Sequence, residues 1–174
     1  MKKNIYLIFV LMFFLTACST NLQEDKARDM SKEVNNSKIE IQKNKIDLGE
    51  ISMKKGKVDI EFTLENTGSD PIVITEGETT CICTSAVLKT KASDQNSEEY
   101  EITSRLITMP HGVVSATQIF QIINPGEIAT VIATFDPNAH GPAGTGPIKR
   151  DVLLTTNSLE SPQIDLSFYG TVIK

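Results

Sequence analysis

The sequence is short of what familiar kinds of catalysis need. It contains no Gly-x-Ser-x-Gly, no His-Glu-x-x-His and no glycine-rich phosphate loop. Its carboxylates alternate with apolar residues along extended runs, which puts them on a solvated face rather than paired at a reaction centre. These absences predict a protein that is not an enzyme. Positive charge is scarce as well: 17 Lys and Arg stand against 22 Asp and Glu, a formal net charge of −5. An acidic chain repels phosphate backbones, which argues against nucleic acid as a partner. Cysteine occurs three times and histidine twice, too little for a disulfide framework. No apolar run is long enough to cross a bilayer as a mature helix: Ile5 to Leu15 falls well short of the ~20 residues required.

What is present begins with that short run. Met1-Lys2-Lys3-Asn4 is a basic leader, Ile5 to Leu15 its apolar continuation, and Leu15-Thr16-Ala17-Cys18 ends it. This arrangement resembles the bacterial lipobox, which implies cleavage before Cys18 and acylation of its thiol. The plainer alternative is an ordinary secretory signal with Ala17 at the cleavage site. Two or three acyl chains would anchor the mature protein to a membrane without spanning it. Cleavage removes Lys2 and Lys3, leaving 15 basic against 22 acidic residues and a net charge near −7. The expected plan is a signal peptide over 1–17, a lipidated Cys18 with a flexible linker over 18–38, and one domain over 39–174. The expected place is the cell envelope, on the extracytoplasmic side. The linker is predicted flexible because only Leu22, Met30 and Val34 interrupt its polar run.

The domain reads as strands. Val58, Ile60, Phe62 and Leu64 alternate with Asp59, Glu61, Thr63 and Glu65, the period of a half-buried strand. Asn66-Thr67-Gly68 breaks the run, and Ile72-Val73-Ile74 follows Pro71. Ile39–Ile41, Ile46–Ile51, Thr84–Leu88, Thr117–Ile123, Ile128–Phe135, Val152–Leu154 and Ile164–Val172 behave alike. Lys89 to Glu99 reads as a polar turn, and Tyr100–Thr103 with Arg105–Thr108 as a small hairpin. About eight short strands and no helix after the signal predict an all-β fold, a single antiparallel β-sandwich.

Several motifs then occur in a telling order: Asp47-Leu48-Gly49-Glu50-Ile51, Asn66-Thr67-Gly68, Cys81-Ile82-Cys83-Thr84, Asn124-Pro125-Gly126-Glu127, Phe135-Asp136-Pro137 and Thr156-Asn157. From Ile46 to Val172 the chain resembles domain-of-unknown-function family 1573. That resemblance implies bacterial exported proteins with an Ig-like domain, similar to the abnormal-spindle/hydin type and to PapD-like sandwiches. It brings a fold and no reaction. The chain departs from the family's pattern in a long connection from Cys83 to Pro125 and a long loop at His140–Pro147. Loops are where function concentrates.

Cys81 and Cys83 carry the candidate chemistry. On an extended strand their Cα atoms would lie about 6.6 Å apart, so a disulfide between them needs a bulge or turn. The readings open at this point are a buried structural pair, a strained bridge, or a soft-metal site. The metal reading adds Met109, His111 and His140, a donor set that suits Cu(I) first and Zn(II) second. Thiol redox work lacks the Cys-x-x-Cys at a helix N-terminus that usually activates a thiol. The leading expectation is a binding module of the envelope, anchored to the membrane, whose exposed strand edges recruit an extended segment of another envelope protein. Copper or zinc binding by the Cys-x-Cys pair is the alternative.

Overall fold

Strict alternation and punctuation by Gly, Pro and Asn produce the expected sheets. The computed structural model describes residues 19–93, 99–108 and 117–174. Cys18, Met109 and His111 lie outside the described residues. A helix α1 (Ser19–Met30) precedes β1 (Ile39–Ile41), β2 (Lys45–Ser52), a 3-10 turn (Met53–Lys55) and β3 (Val58–Asn66). Then come β4 (Ile72–Thr79), β5 (Thr84–Ser93), β6 (Glu99–Thr108), β7 (Thr117–Ile123), β8 (Ile128–Phe135), β9 (Gly146–Thr156) and β10 (Gln163–Ile173).

One sheet runs β1-β3-β8-β5-β6 and the other β7-β4-β9-β10-β2. They touch through a two-residue parallel pairing of β4 with β6, Glu78 with Ile107 and Thr79 with Thr108. The inward residues of both sheets meet in one core. Phe62, Phe135 and Phe168 are its largest members, and Phe135 meets Phe168 edge to face at 5.8 Å between centroids. The all-β sandwich is therefore as expected.

Three local expectations are corrected. First, Lys89–Glu99 is not all turn, and 100–108 is not a hairpin. β5 continues to Ser93 and pairs antiparallel with one unbroken β6, from Ala86 opposite Leu106 to Ser93 opposite Glu99. A hairpin would have to reverse near Ser104, which has no Gly, Pro or Asn beside it to make the turn. Lys89 and Glu101 instead form an ion pair of 2.9 Å across the two strands. Secondly, the sandwich is not wholly antiparallel: β2 lies parallel to the last strand, β10, pairing Phe168 with Ile46 and Val172 with Ile51. A register shift sits between Tyr169 and Thr171, where Gly170 faces the Gly49 carbonyl so closely that a Cβ would come within 2.7 Å of it.

Thirdly, the linker contains a helix and is attached to the domain. In α1, Ala27 is fully buried and the Arg28 guanidinium lies 4.4 Å from the Phe120 ring centroid. Arg28 pairs with Glu24 one turn back, and Lys32 with Asp29. Burial through one alanine leaves no apolar stripe in the sequence, which is why the helix was not expected. Beyond it, Asn157 Nδ2 donates to the carbonyls of Met30 and Glu33. Asn35 Nδ2 donates to the Pro71 carbonyl at 2.9 Å, and Ser37 Oγ accepts from the Asp70 N–H at 2.7 Å. Gly68 makes this fit possible, since a Cβ there would lie 2.4 to 2.6 Å from Ser37.

Candidate functional site: a thiol pair at one end of the sandwich

At the opposite end, β4 leaves one sheet and β5 enters the other. The crossing is a β-turn: the Thr84 N–H donates to the Cys81 carbonyl at 2.9 Å. The two cysteines are therefore not on an extended strand, and the turn the disulfide argument required is supplied. It is held on three sides. The Thr80 N–H donates to the Asp151 carbonyl and the Asp151 N–H to Thr80 Oγ1, both at 3.1 Å, which fixes it to β9. The Asp136 N–H donates to the Cys83 carbonyl at 2.8 Å, which fixes it to the end of β8. Thr79 Oγ1 closes the inner side on the Thr84 carbonyl.

The turn brings the two sulfurs together, with Cys83 Sγ donating to Cys81 Sγ at 2.6 Å. Cys83 is buried, Cys81 is half-buried, and Ile82 between them stands 55% exposed. The loop after β8 is wound by successive turns, Ala139 N–H to the Asp136 carbonyl and Gly141 N–H to the Asn138 carbonyl, with Gly141 at a φ of 73°. That winding delivers His140, whose Nε2 lies 3.5 Å from Cys81 Sγ. From β9, Arg150 Nε donates to Cys83 Sγ at 3.0 Å. Thr84 Oγ1 lies 3.7 Å from the same sulfur.

These contacts separate the two thiols. Burial pushes the Cys81 thiol up, but hydrogen bonds from Cys83 and His140 and the Arg150 charge outweigh it and bring its pKa down to about 7. For Cys83, burial and the hydrogen bond to Cys81 push the pKa above the ordinary thiol value, against the opposing pull of Arg150 and Thr84.

Of the metal donors expected from the sequence, Cys81, Cys83 and His140 come together, their donor atoms all within 4.8 Å of one another. Met109 and His111 lie outside the described residues. Thiolate and imidazole are suitable donors, but the spacing is tight. Two thiolates each ~2.3 Å from a tetrahedral ion stand about 3.8 Å apart, so this pair would have to open by about 1 Å to hold one. Sequence reasoning missed Arg150 altogether. It lies far along the chain on an alternating strand, and nothing in Lys149-Arg150-Asp151 distinguishes it from a solvated charge cluster.

Two facing sheets around one apolar core, with loops gathered at both ends, define an Ig-like β-sandwich. Residues 39–109 match the model of a family described as Protein of unknown function (DUF1573). The match ends before β7, whereas the motif order had pointed on to Val172. No curated protein matches the chain. Among solved structures it is similar to a protein of unknown function from Porphyromonas gingivalis W83, with 14% identity and a TM-score of 0.52 over 79% of this chain. The chain spans 48% of that protein's length, and the likeness shows the fold. It is also similar to an ASH/PapD-like domain of human CEP192, with 16% identity and a TM-score of 0.41 over 80% of this chain and 87% of that one. A third similarity is to a family 123 glycoside hydrolase from Clostridium perfringens, with 8% identity and a TM-score of 0.48 over 80% of this chain and 27% of the hydrolase.

Proposed function

We propose that the protein is a non-catalytic interaction module of the bacterial cell envelope, anchored by acyl chains on Cys18 and facing the extracytoplasmic side. The observation that carries the reading is an open strand edge. β1 covers only Leu64–Asn66 of β3, so residues 58–63 have a strand partner, β8, on one side alone among the described residues. An extended segment of another envelope protein can add there, bonding through its main chain. The edge strand β2 is less suited, because it carries Lys45, a positive φ at Gly49 and a register shift opposite it. Lipid anchoring rests on the Leu15–Cys18 run.

The test is photo-cross-linking in cells. A photoreactive residue replacing exposed Glu61, beside the open edge, is expected to capture a protein partner; the same residue replacing Glu160 is not. Cys18→Ser should move the protein out of the membrane fraction. Equal capture at both positions would refute strand addition, and a processed Cys18→Ser protein that stayed fully with membranes would refute the anchor.

A further inference from the structure

We propose that Cys81 and Cys83 form a thiol–disulfide exchange site, with Cys81 as the attacking sulfur, Cys83 as the resolving sulfur, and His140 and Arg150 as positioning residues. The reaction is stoichiometric, sits at the end of the sandwich away from the docked Asn35–Ser37 segment, and does not rest on the strand-addition reading.

Four observations carry it. The turn sets the two sulfurs in direct contact, as closing a bond between them requires. Their exposures differ in the useful sense: half-buried Cys81 can be reached from solvent, and buried Cys83 can be reached from Cys81. A guanidinium lies against Cys83 and an imidazole against Cys81, and the Arg150 charge supplies the electropositive surroundings that a helix N-terminus provides elsewhere. Finally, Ile82 projects into solvent between the two thiols, an apolar contact for an arriving polypeptide. The order of the two pKa values agrees with the order of attack.

The co-reactant is a disulfide, R–S–S–R′. Cys81 gives up its proton to solvent, and its sulfur, held by His140, attacks one sulfur of the disulfide. The Cys81–S–S–R bond forms, the S–S bond of the disulfide breaks, and R′–S⁻ leaves and is protonated. Cys83 then gives up its proton, and its sulfur, held by Arg150, attacks Cys81 Sγ. The Cys81–Cys83 bond forms and R–S⁻ leaves and is protonated. Two electrons and two protons pass from the protein dithiol to the disulfide, which ends as two thiols.

The experiment uses the full chain carrying Cys18→Ser, reduced and freed of reductant, and mixed with glutathione disulfide. The expected result is release of two glutathione thiols per chain and a protein lighter by two hydrogens. Cys83→Ser is expected to hold one glutathione, mapped to Cys81, and Cys81→Ser to react at least tenfold more slowly. Arg150→Met should slow resolution more than capture, whereas a merely structural arginine would slow both alike. A peptide cyclised through a disulfide distinguishes the source: loss of rate in Ile82→Ser with the peptide alone supports a protein disulfide, and unchanged rates support a small one. Glutathione left on both cysteines, or capture at Cys83, would overturn the proposal. A reduced chain that binds Cu(I) one to one yet leaves glutathione disulfide intact would overturn it too and return the pair to the metal reading. The wild-type pair supplies the main measurement, so the test survives a variant that fails to fold.

Discussion

Asn157→Ala tests whether the N-terminal segment is part of the domain. The Asn157 side chain joins three pieces of chain. Its Oδ1 accepts from the Val73 N–H at 2.8 Å, and its Nδ2 donates to the Met30 and Glu33 carbonyls at 3.2 and 2.8 Å. Val73 is fully buried, so alanine leaves an unpaired N–H, at ~1–3 kcal/mol. The two carbonyls are reached by water once released and add about 0.5 kcal/mol each. The sum is about 2–4 kcal/mol. At roughly 2–4 °C per kcal/mol for a chain of this size, the melting temperature should fall by about 5–15 °C. Asn35→Ala is the control. It removes the bond to the Pro71 carbonyl and the acceptor of the Ser37 N–H, but leaves Val73 paired, so about half the loss is expected. Hydrogen exchange completes the assay: amides of 31–37 should exchange faster in both variants, and the Val73 amide in Asn157→Ala alone. An unchanged melting temperature, or a Val73 amide as protected in Asn157→Ala as in the wild type, would refute the docked segment.

Phe168→Ala removes a fully buried ring and its edge-to-face contact with Phe135, and should cost ~3–5 kcal/mol in denaturant unfolding; a loss below 1 kcal/mol would mean the two sheets do not meet there. Alkylation of Cys81 by iodoacetamide should follow its lowered pKa: the thiolate persists to lower pH than an ordinary thiol's, and reactivity is lost as pH falls through about 7. The rate should rise about tenfold from pH 6 to pH 8, and Arg150→Met should move the midpoint up; a wild-type midpoint at the ordinary ~8.5 would refute the arrangement around the sulfur.

The strands were legible wherever one face is core and the other solvent. Val58–Leu64 and Ile128–Phe135 showed their period directly, and the strands there run Val58–Asn66 and Ile128–Phe135. β5 and β6 were partly misread because Thr, Ser, Lys and Glu dominate them past Leu88. Cross-strand partners such as Lys89 and Glu101 hold such a ribbon together, and a partner 12 residues away leaves no local period. α1 was hidden for a related reason, its attachment resting on one alanine, one arginine and a set of side chain–backbone hydrogen bonds. At the thiol end, Cys81 and Cys83 stood out through spacing alone and His140 through its unusual loop. The turn joining the cysteines follows from where β4 and β5 sit in different sheets, which depends on topology rather than on residue type.

The two ends of the sandwich use their polar groups differently, and the difference bears on which end acts. At the end holding the N-terminal segment, Asn66, Asn157, Ser37 and Ser158 bond backbone groups of neighbouring loops, the Ser158 hydroxyl meeting the Ser37 carbonyl. Among the described residues no buried side-chain nitrogen or oxygen lacks a partner, so that end is closed by its own hydrogen bonds. The thiol end is arranged otherwise. Asp151 lies on the face of β9 opposite to Arg150 and pairs with Lys149 at 3.1 Å, while Arg150 donates from Nε to Cys83 Sγ and from a terminal nitrogen to the Lys149 carbonyl. A structural arginine on such a surface gains more from a carboxylate, which accepts two of its N–H groups, than from a neutral thiol, a weak acceptor. The contact with Cys83 becomes favourable to a comparable degree only when that sulfur carries negative charge, as it does when it resolves a mixed disulfide. The contact of Arg150 with Cys83 is thus one that the thiolate step proposed for that sulfur would strengthen.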